Sequence, residues 1–156
     1  MKDAETEQGL ESVYRDHGAR LWRAVFAFAG DRQIADDAVA EAFAQALRRG
    51  QDLRDPLAWI WRVAFRVAAG ELKDRRTHRA AIVDEPYEMP EPAWEIMRAL
   101  ARLSPMQRGS IVLHHYGGYP TKDIALILGS TSAAVRVHLS AGRRRLREMI
   151  GVEPDA

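Results

Sequence analysis

Apolar positions recur at helical spacing along most of this chain. From Leu10 the stripe continues through Val13, Tyr14, Leu21, Val25 and Phe28 and stops at Gly30-Asp31, a helix end followed by a turn. A second stripe, Ile34, Ala35, Ala38, Val39, Ala42, Phe43, Ala46 and Leu47, ends at Gly50. After a polar loop from Arg49 to Arg54, Asp55-Pro56 sets a capping acid before a proline in the first helical turn. The helix predicted there runs to about Thr77, with Ile60, Val63, Ala64, Val67 and Ala68 as its core stripe. Residues 79–92 carry Asp84, Glu85, Glu88 and Glu91 among Pro86, Pro90 and Pro92, which no helix tolerates, so this stretch reads as a linker. Shorter helical patterns follow at 93–103, 105–116, 121–128 and 132 to about 150. No alternating run of β-branched residues suggests a strand. The expectation is an all-α protein of two small helical domains, a three-helix body over 8–78 and a helix-turn-helix domain over 93–150, joined by the proline and acidic linker 79–92.

Charge distribution changes this picture more than composition does. The 156 residues are 47% hydrophobic with a formal net charge of only +1, which marks a globular protein without an overall basic character. Residues 1–78 balance 13 basic against 13 acidic side chains, residues 79–103 hold 3 against 5, and residues 104–156 hold 7 against 4. The basic excess therefore sits at the C-terminal end, where nucleic-acid binding is to be sought. With no cysteine, disulfides and thiolate metal sites are excluded. No secretory pattern opens the chain, and its apolar runs fall well short of the roughly 20 residues needed to span a bilayer, so a cytoplasmic location without membrane insertion is expected.

The strongest local signal lies around Gly129. Lys122 to Leu128 is amphipathic, Gly129-Ser130-Thr131 makes a turn, and Ser132 begins a second amphipathic helix. That is a helix-turn-helix pattern, whose second helix enters the major groove. On that helix Val135, Leu139, Gly142 and Leu146 make a packing face. Arg136, Ser140, Arg143 and Arg147, extended by Arg144 and Arg145, make a basic face suited to phosphates and base edges. The competing reading is a solvated basic stripe complementing the helix dipole.

The third helix offers a second surface, with Arg62, Arg66 and Lys73 opposite its core stripe and Trp59 beside them. Aromatics among bases suit single-stranded DNA, because rings stack on exposed bases while cations follow the backbone. Trp61 and Phe65 fit either stacking or packing. Asp36, Asp37 and Glu41 form an acidic edge flanking Phe43, a solvated face on pattern alone and otherwise a docking surface for a basic partner. His114 and His115 are adjacent rather than one helical turn apart, so they do not make a zinc pair, and neither metal nor cofactor is expected.

In their order and spacing these parts resemble the extracytoplasmic-function (ECF) subfamily of bacterial RNA polymerase sigma factors. The matching strings are Gly30-Asp31-Arg32, "ADDAVAEAFAQAL" at 35–47, "LRDPLAWIWRVA" at 53–64, "ALARLSPMQRGSIVLHHYGGYPTKDIALILG" at 99–129 and "VRVHLSAGRRRLRE" at 135–148. The resemblance implies a protein that directs polymerase to promoters and has no catalytic residues of its own. It implies polymerase contacts at Asp36, Asp37, Glu41, Phe43 and Gln45, and so revises the solvated reading of the acidic edge. It implies capture of the single-stranded −10 element by Arg49, Arg54, Trp59, Arg62, Arg66 and Lys73. It also implies reading of the −35 duplex by Thr131, Ser132, Ala134, Arg136, His138, Ser140, Arg143 and Arg144. The implied partners are the polymerase core, promoter DNA as duplex and melted strand, and an anti-sigma factor. The chain departs from the family's pattern at Ala40, Phe65-Arg66, Gly70, His138 and Ala141.

Two other readings compete. A stand-alone helix-turn-helix regulator would use the N-terminal body for dimerisation, but the "DPLAWIWRVA" string argues against it. A helical enzyme built on His114, His115 and Asp123 lacks a nucleophile, a phosphate loop and paired carboxylates.

Overall fold

The computed structural model describes residues 2–78 and 90–151. The fold is all-α, and the chain divides into two compact units, residues 1–80 and 81–156. Residues 79–89, most of the stretch read as a linker, lie outside the described residues.

Unit 1 consists of α1 (Lys2–Ala29), α2 (Arg32–Arg49) and α3 (Pro56–His78), with a short 3₁₀ turn at Gly50–Asp52. Each helix packs on the other two. The middle helix makes this possible by presenting small side chains: Ala35, Ala38, Ala42 and Ala46 are fully buried. With so little bulk on α2, its neighbours approach closely, and the large groups come from them. Leu21, Val25 and Phe28 of α1 and Ile60 and Phe65 of α3 are all buried, with the Phe28 and Phe65 rings 5.3 Å apart at 37°. Trp61 and Phe65 are 3% and 0% exposed and stack at 6.1 Å, so both belong to the core. That removes them from the DNA-stacking alternative.

Local chemistry sets the joints. Gly30, at φ 67°, ends α1, and the Asp31 side chain then accepts the Ile34 N–H at 3.0 Å to start α2. Asp55 caps α3 in the same way, accepting from Ala58 at 3.2 Å. Helix α1 begins well before the Leu10 stripe, because its first turns are polar and an apolar period cannot register them. Its 28 residues measure about 42 Å against about 27 Å for the 18 of α2. Tyr14, in phase with the core stripe, is nonetheless 59% exposed, its ring lying over Gly18 and edge-on to Phe43. Leu47, expected in the core, is 49% exposed at the last turn of α2.

Unit 2 holds α4 (Glu91–Ala101), α5 (Pro105–Ile111), α6 (Thr121–Leu128) and α7 (Ser132–Ile150). Its core gathers Trp94, Met97, Leu100, Leu113, Ile124, Ile127, Val135 and Leu139. A capping box starts α5, in which Ser104 accepts the Gln107 N–H and the Gln107 side chain accepts the Ser104 N–H, both at 3.2 Å. The single helix expected over 105–116 is instead α5 followed by a π-helical turn, Val112–Tyr116, closed by the Gly117 N–H on the Val112 carbonyl at 3.0 Å. That extra residue per turn re-aims His114 and His115. Helix α7 lies close on α5 because Gly142 faces Ile111; a Cβ there would stand 3.1 Å from Ile111 Cγ1.

Two substitutions test this core. Ser110 is fully buried and its hydroxyl has no hydrogen-bond partner. Ser110→Ala should therefore raise the stability of unit 2 by about 1 kcal/mol. Gly142→Leu should lower it by about 1–3 kcal/mol through overpacking against Ile111. Chemical denaturation of the full chain measures both, and a destabilised Ser110→Ala protein would contradict the first.

Candidate nucleic-acid interface

Helices α6 and α7 turn through 100° at the break between them. Gly129 caps α6 at φ 65° and ψ 43°, the left-handed conformation that glycine adopts without steric cost. Thr131 then accepts the Ala134 N–H at 3.1 Å and caps α7. The angle and the short glycine-bearing turn are those of a DNA-binding helix-turn-helix. Within the described residues no single helix is long and apolar enough to cross a membrane.

On α7 the buried positions are Val135, Leu139 and Gly142, so the opposite side is the one turned to solvent. Arg136, Ser140 and Arg144 stand exposed there. The other residues expected to touch duplex DNA are spread more widely. Thr131 uses its hydroxyl in the cap, Ser132 and Arg143 flank one edge, and Ala134 and His138 are half-buried on the other. Arg145 must be removed from the basic face. Its guanidinium donates to the Arg102 carbonyl at 2.8 Å and to Gln107 Oε1 at 3.1 Å, clasping α7 to the joint between α4 and α5.

A contact that no sequence spacing reveals joins His115 to Arg143: Arg143 Nε donates to His115 Nε2 at 3.1 Å. The acceptor must be a neutral ring carrying its proton on Nδ1. Partial burial, then the charges of Arg143 and His114, lower the His115 pKa from its ordinary 6.5. His114, edge-on to His115, is tied separately to the Tyr119 carbonyl at 3.1 Å. The π turn brings both histidines to this position.

In unit 1, Trp59, Arg62, Arg66 and Lys73 recur at three, four and seven residues along α3 and so lie on one stripe. Arg66 and Lys73 are exposed, while Trp59 and Arg62 are half-buried. Arg62 Nε is buried without a hydrogen-bond partner. The Arg49 guanidinium stands over the Trp59 ring at 5.7 Å, which links the loop to the stripe. Arg54 is exposed in the same loop.

The acidic edge of α2 is exposed but internally organised. Asp36 Oδ1 accepts from Trp22 Nε1 at 2.7 Å, and Asp37 Oδ1 accepts from Gln33 Nε2 at 2.9 Å. Glu41 accepts from Gln45 Nε2 at 2.8 Å and Arg48 Nη2 at 3.1 Å. The Gln45 bond foremost, with Arg48 in support, holds the Glu41 carboxyl below its usual range. Phe43 sits half-buried, its ring meeting Tyr14 edge-on at 5.1 Å. Carboxylates, amide and aromatic rings thus share a helix surface that is acidic and only partly apolar.

Residues 93–146 match the protein family described as "Sigma-70, region 4". The chain is similar to "ECF RNA polymerase sigma factor SigM" of Mycobacterium tuberculosis, 27% identical over 151 residues that cover 91% of this chain and 77% of SigM. It is also similar to "ECF RNA polymerase sigma factor SigL" of the same organism, 28% identical over 153 residues covering 88% and 86% of the two chains. Among solved structures, the sigma factor RpoE in complex with the anti-sigma factor NepR, from Bartonella quintana, superposes with a TM-score of 0.74. It covers 96% of this chain and 99% of its own at 18% identity, a likeness of fold.

Two outcomes follow for unit 2. Thr131→Ala should cost about 1 kcal/mol of stability through loss of the α7 cap, measured by denaturation. His115 binds its proton less readily folded than unfolded, so its share of stability is complete above pH 6.5 and is lost as pH falls through the lower folded-state pKa. An NMR titration should place the folded His115 below 6.5, and His115→Gln should remove this part of the pH dependence of melting.

Proposed function

We propose, on the premise that this chain belongs to the extracytoplasmic-function RNA polymerase sigma factors, that its two helical units divide the work of directing polymerase to promoters for transcription initiation. Residues 93–150 read the −35 element as duplex. Residues 8–78 bind the polymerase and capture the melted −10 element, and residues 79–92 join the two. The observation that carries this reading is the 100° helix-turn-helix of α6 and α7, with Arg136 and Arg144 on its outer face, inside the segment that matches sigma region 4.

The duplex step is electrostatic and directional. Exposed arginines of α7 neutralise phosphates and release counterions, while Arg136, near the N-terminal end, reaches base edges. Thr131, Ser132, Ala134, His138, Ser140 and Arg143 complete the surface. The melting step uses α3, whose Trp59 offers a ring face while Arg49, Arg54, Arg62, Arg66 and Lys73 follow the strand. The polymerase step uses Asp36, Asp37, Glu41, Phe43 and Gln45 of α2 as an acidic and aromatic surface for a basic partner element. The hydrogen bonds that hold the three carboxylates reduce the ordering needed on docking. Sigma factors are not enzymes, and no residue here is assigned a catalytic step; the RNA chemistry stays in the polymerase. The protein acts in the cytoplasm, where core polymerase and promoter DNA are. RpoE is complexed with the anti-sigma factor NepR, and a partner of that class is the regulator we assign to this chain.

Run-off transcription with purified bacterial core polymerase on the protein's own upstream region should give initiation at a discrete start that depends on this chain. Arg136→Ala should weaken −35 duplex binding roughly ten-fold. Asp37→Arg should weaken core binding in a pull-down and leave duplex binding unchanged. Unaltered transcription from both variants would refute the residue assignments, and absence of both initiation and core binding would refute the sigma reading itself.

A further inference from the structure

The outer face of α7 carries one side chain that its charge does not explain. Val137 is 66% exposed, more than any other large apolar side chain among the described residues. At about 100° per residue, Val137 stands about 170° around the helix from the centre of the packing face formed by Val135, Leu139, Gly142 and Leu146. It is therefore at the solvent pole of α7, where an unliganded helix gains most from a polar residue. A β-branched side chain there also gives up rotamer freedom relative to alanine or lysine and makes no core contact in return.

Its surroundings say what covers it. Ala133, one turn before, is small and exposed, which leaves room for close approach. Arg136 lies beside it, and Ser140 and Arg144 continue the same face; no carboxylate occurs on α7 before Glu148. A single isopropyl group framed by cations is too small for a protein-docking patch, which spans hundreds of square ångströms. It matches an apolar atom group set among phosphates. The major-groove edge of duplex DNA offers one such group, the 5-methyl of thymine.

We propose that Val137 reads a thymine in the −35 duplex by packing its isopropyl group on the thymine 5-methyl. This rests on the reading of α7 as the groove helix and adds to it the base, the atom group and the residue that selects it. Cytosine at that position places no methyl against Val137, and a purine places a polar edge there. The contact therefore sets preference at one base pair and contributes little to non-specific affinity.

The test compares thymine with 2′-deoxyuridine, which lacks only the methyl group. Full-chain protein assembled with core polymerase is titrated with promoter duplexes in which each −35 thymine is replaced singly by deoxyuridine. The wild type should lose about four-fold in affinity at one position, the worth of one buried methyl group. Val137→Ala, an exposed change that favours the helix, should bind the thymine duplex about four-fold more weakly and show no further loss with deoxyuridine. Val137→Ile should keep the methyl sensitivity. Arg136→Ala serves as the control for groove binding. Where Arg136→Ala weakens binding but no deoxyuridine matters, or Val137→Ala keeps the wild-type deoxyuridine penalty, the methyl contact is overturned and the groove reading stands. An Arg136→Ala protein with unchanged affinity would overturn both.

Discussion

Three residues between α6 and α7 carry the constraint on which the arrangement of unit 2 depends. Gly129 takes a left-handed conformation that ends one helix, and the Thr131 hydroxyl satisfies the Ala134 N–H that begins the next. A non-glycine residue at 129 would strain the backbone, and loss of the cap would leave the Ala134 N–H at the start of α7 without its side-chain partner. With both in place the axes turn through 100°. One side of α7 then faces the core through Val135, Leu139 and Gly142, and the other is turned to solvent. Everything assigned to α7 follows from that division into faces.

The same part of the molecule shows why charge alone is a poor guide to an interface. Five arginines lie between Ser132 and Arg147, and the sequence treats them as equivalents. They differ in what they touch. Arg145 is bound to the Arg102 carbonyl and Gln107, and Arg143 shares a hydrogen bond with His115. Arg136 and Arg144 stand in solvent on the outer face. A guanidinium already engaged within the fold must give up those bonds to meet a phosphate, whereas an exposed one need only shed water. Of these, Arg136 and Arg144 are the better placed for the proposed DNA contacts.

Unit 1 applies a related economy. Alanines on α2 let two neighbouring helices close over it, and α1 and α3 supply the aromatic bulk. The outer face of α2 is thereby left for carboxylates, each fixed by a neighbour: Trp22 on Asp36, Gln33 on Asp37, and Gln45 with Arg48 on Glu41. A surface ordered in advance loses less freedom when a partner docks.

The all-helical class, the glycine turn before α7 and the starts of α2 and α3 were legible in the sequence, because apolar periodicity and capping residues act within a few positions of one another. So was the resemblance to the extracytoplasmic-function sigma factors, through the order and spacing of several short strings. Tertiary structure alone decided where the core departs from the periodic stripes. Trp61 and Phe65 went inside, whereas Tyr14 and Leu47, in phase with their stripes, stayed out, because burial depends on which neighbouring side chains cover a position. It also decided the π turn after α5 and the pairing of His115 with Arg143, 28 residues apart. Contacts between distant residues arise from packing angles and helix lengths, and no local pattern in the chain encodes those.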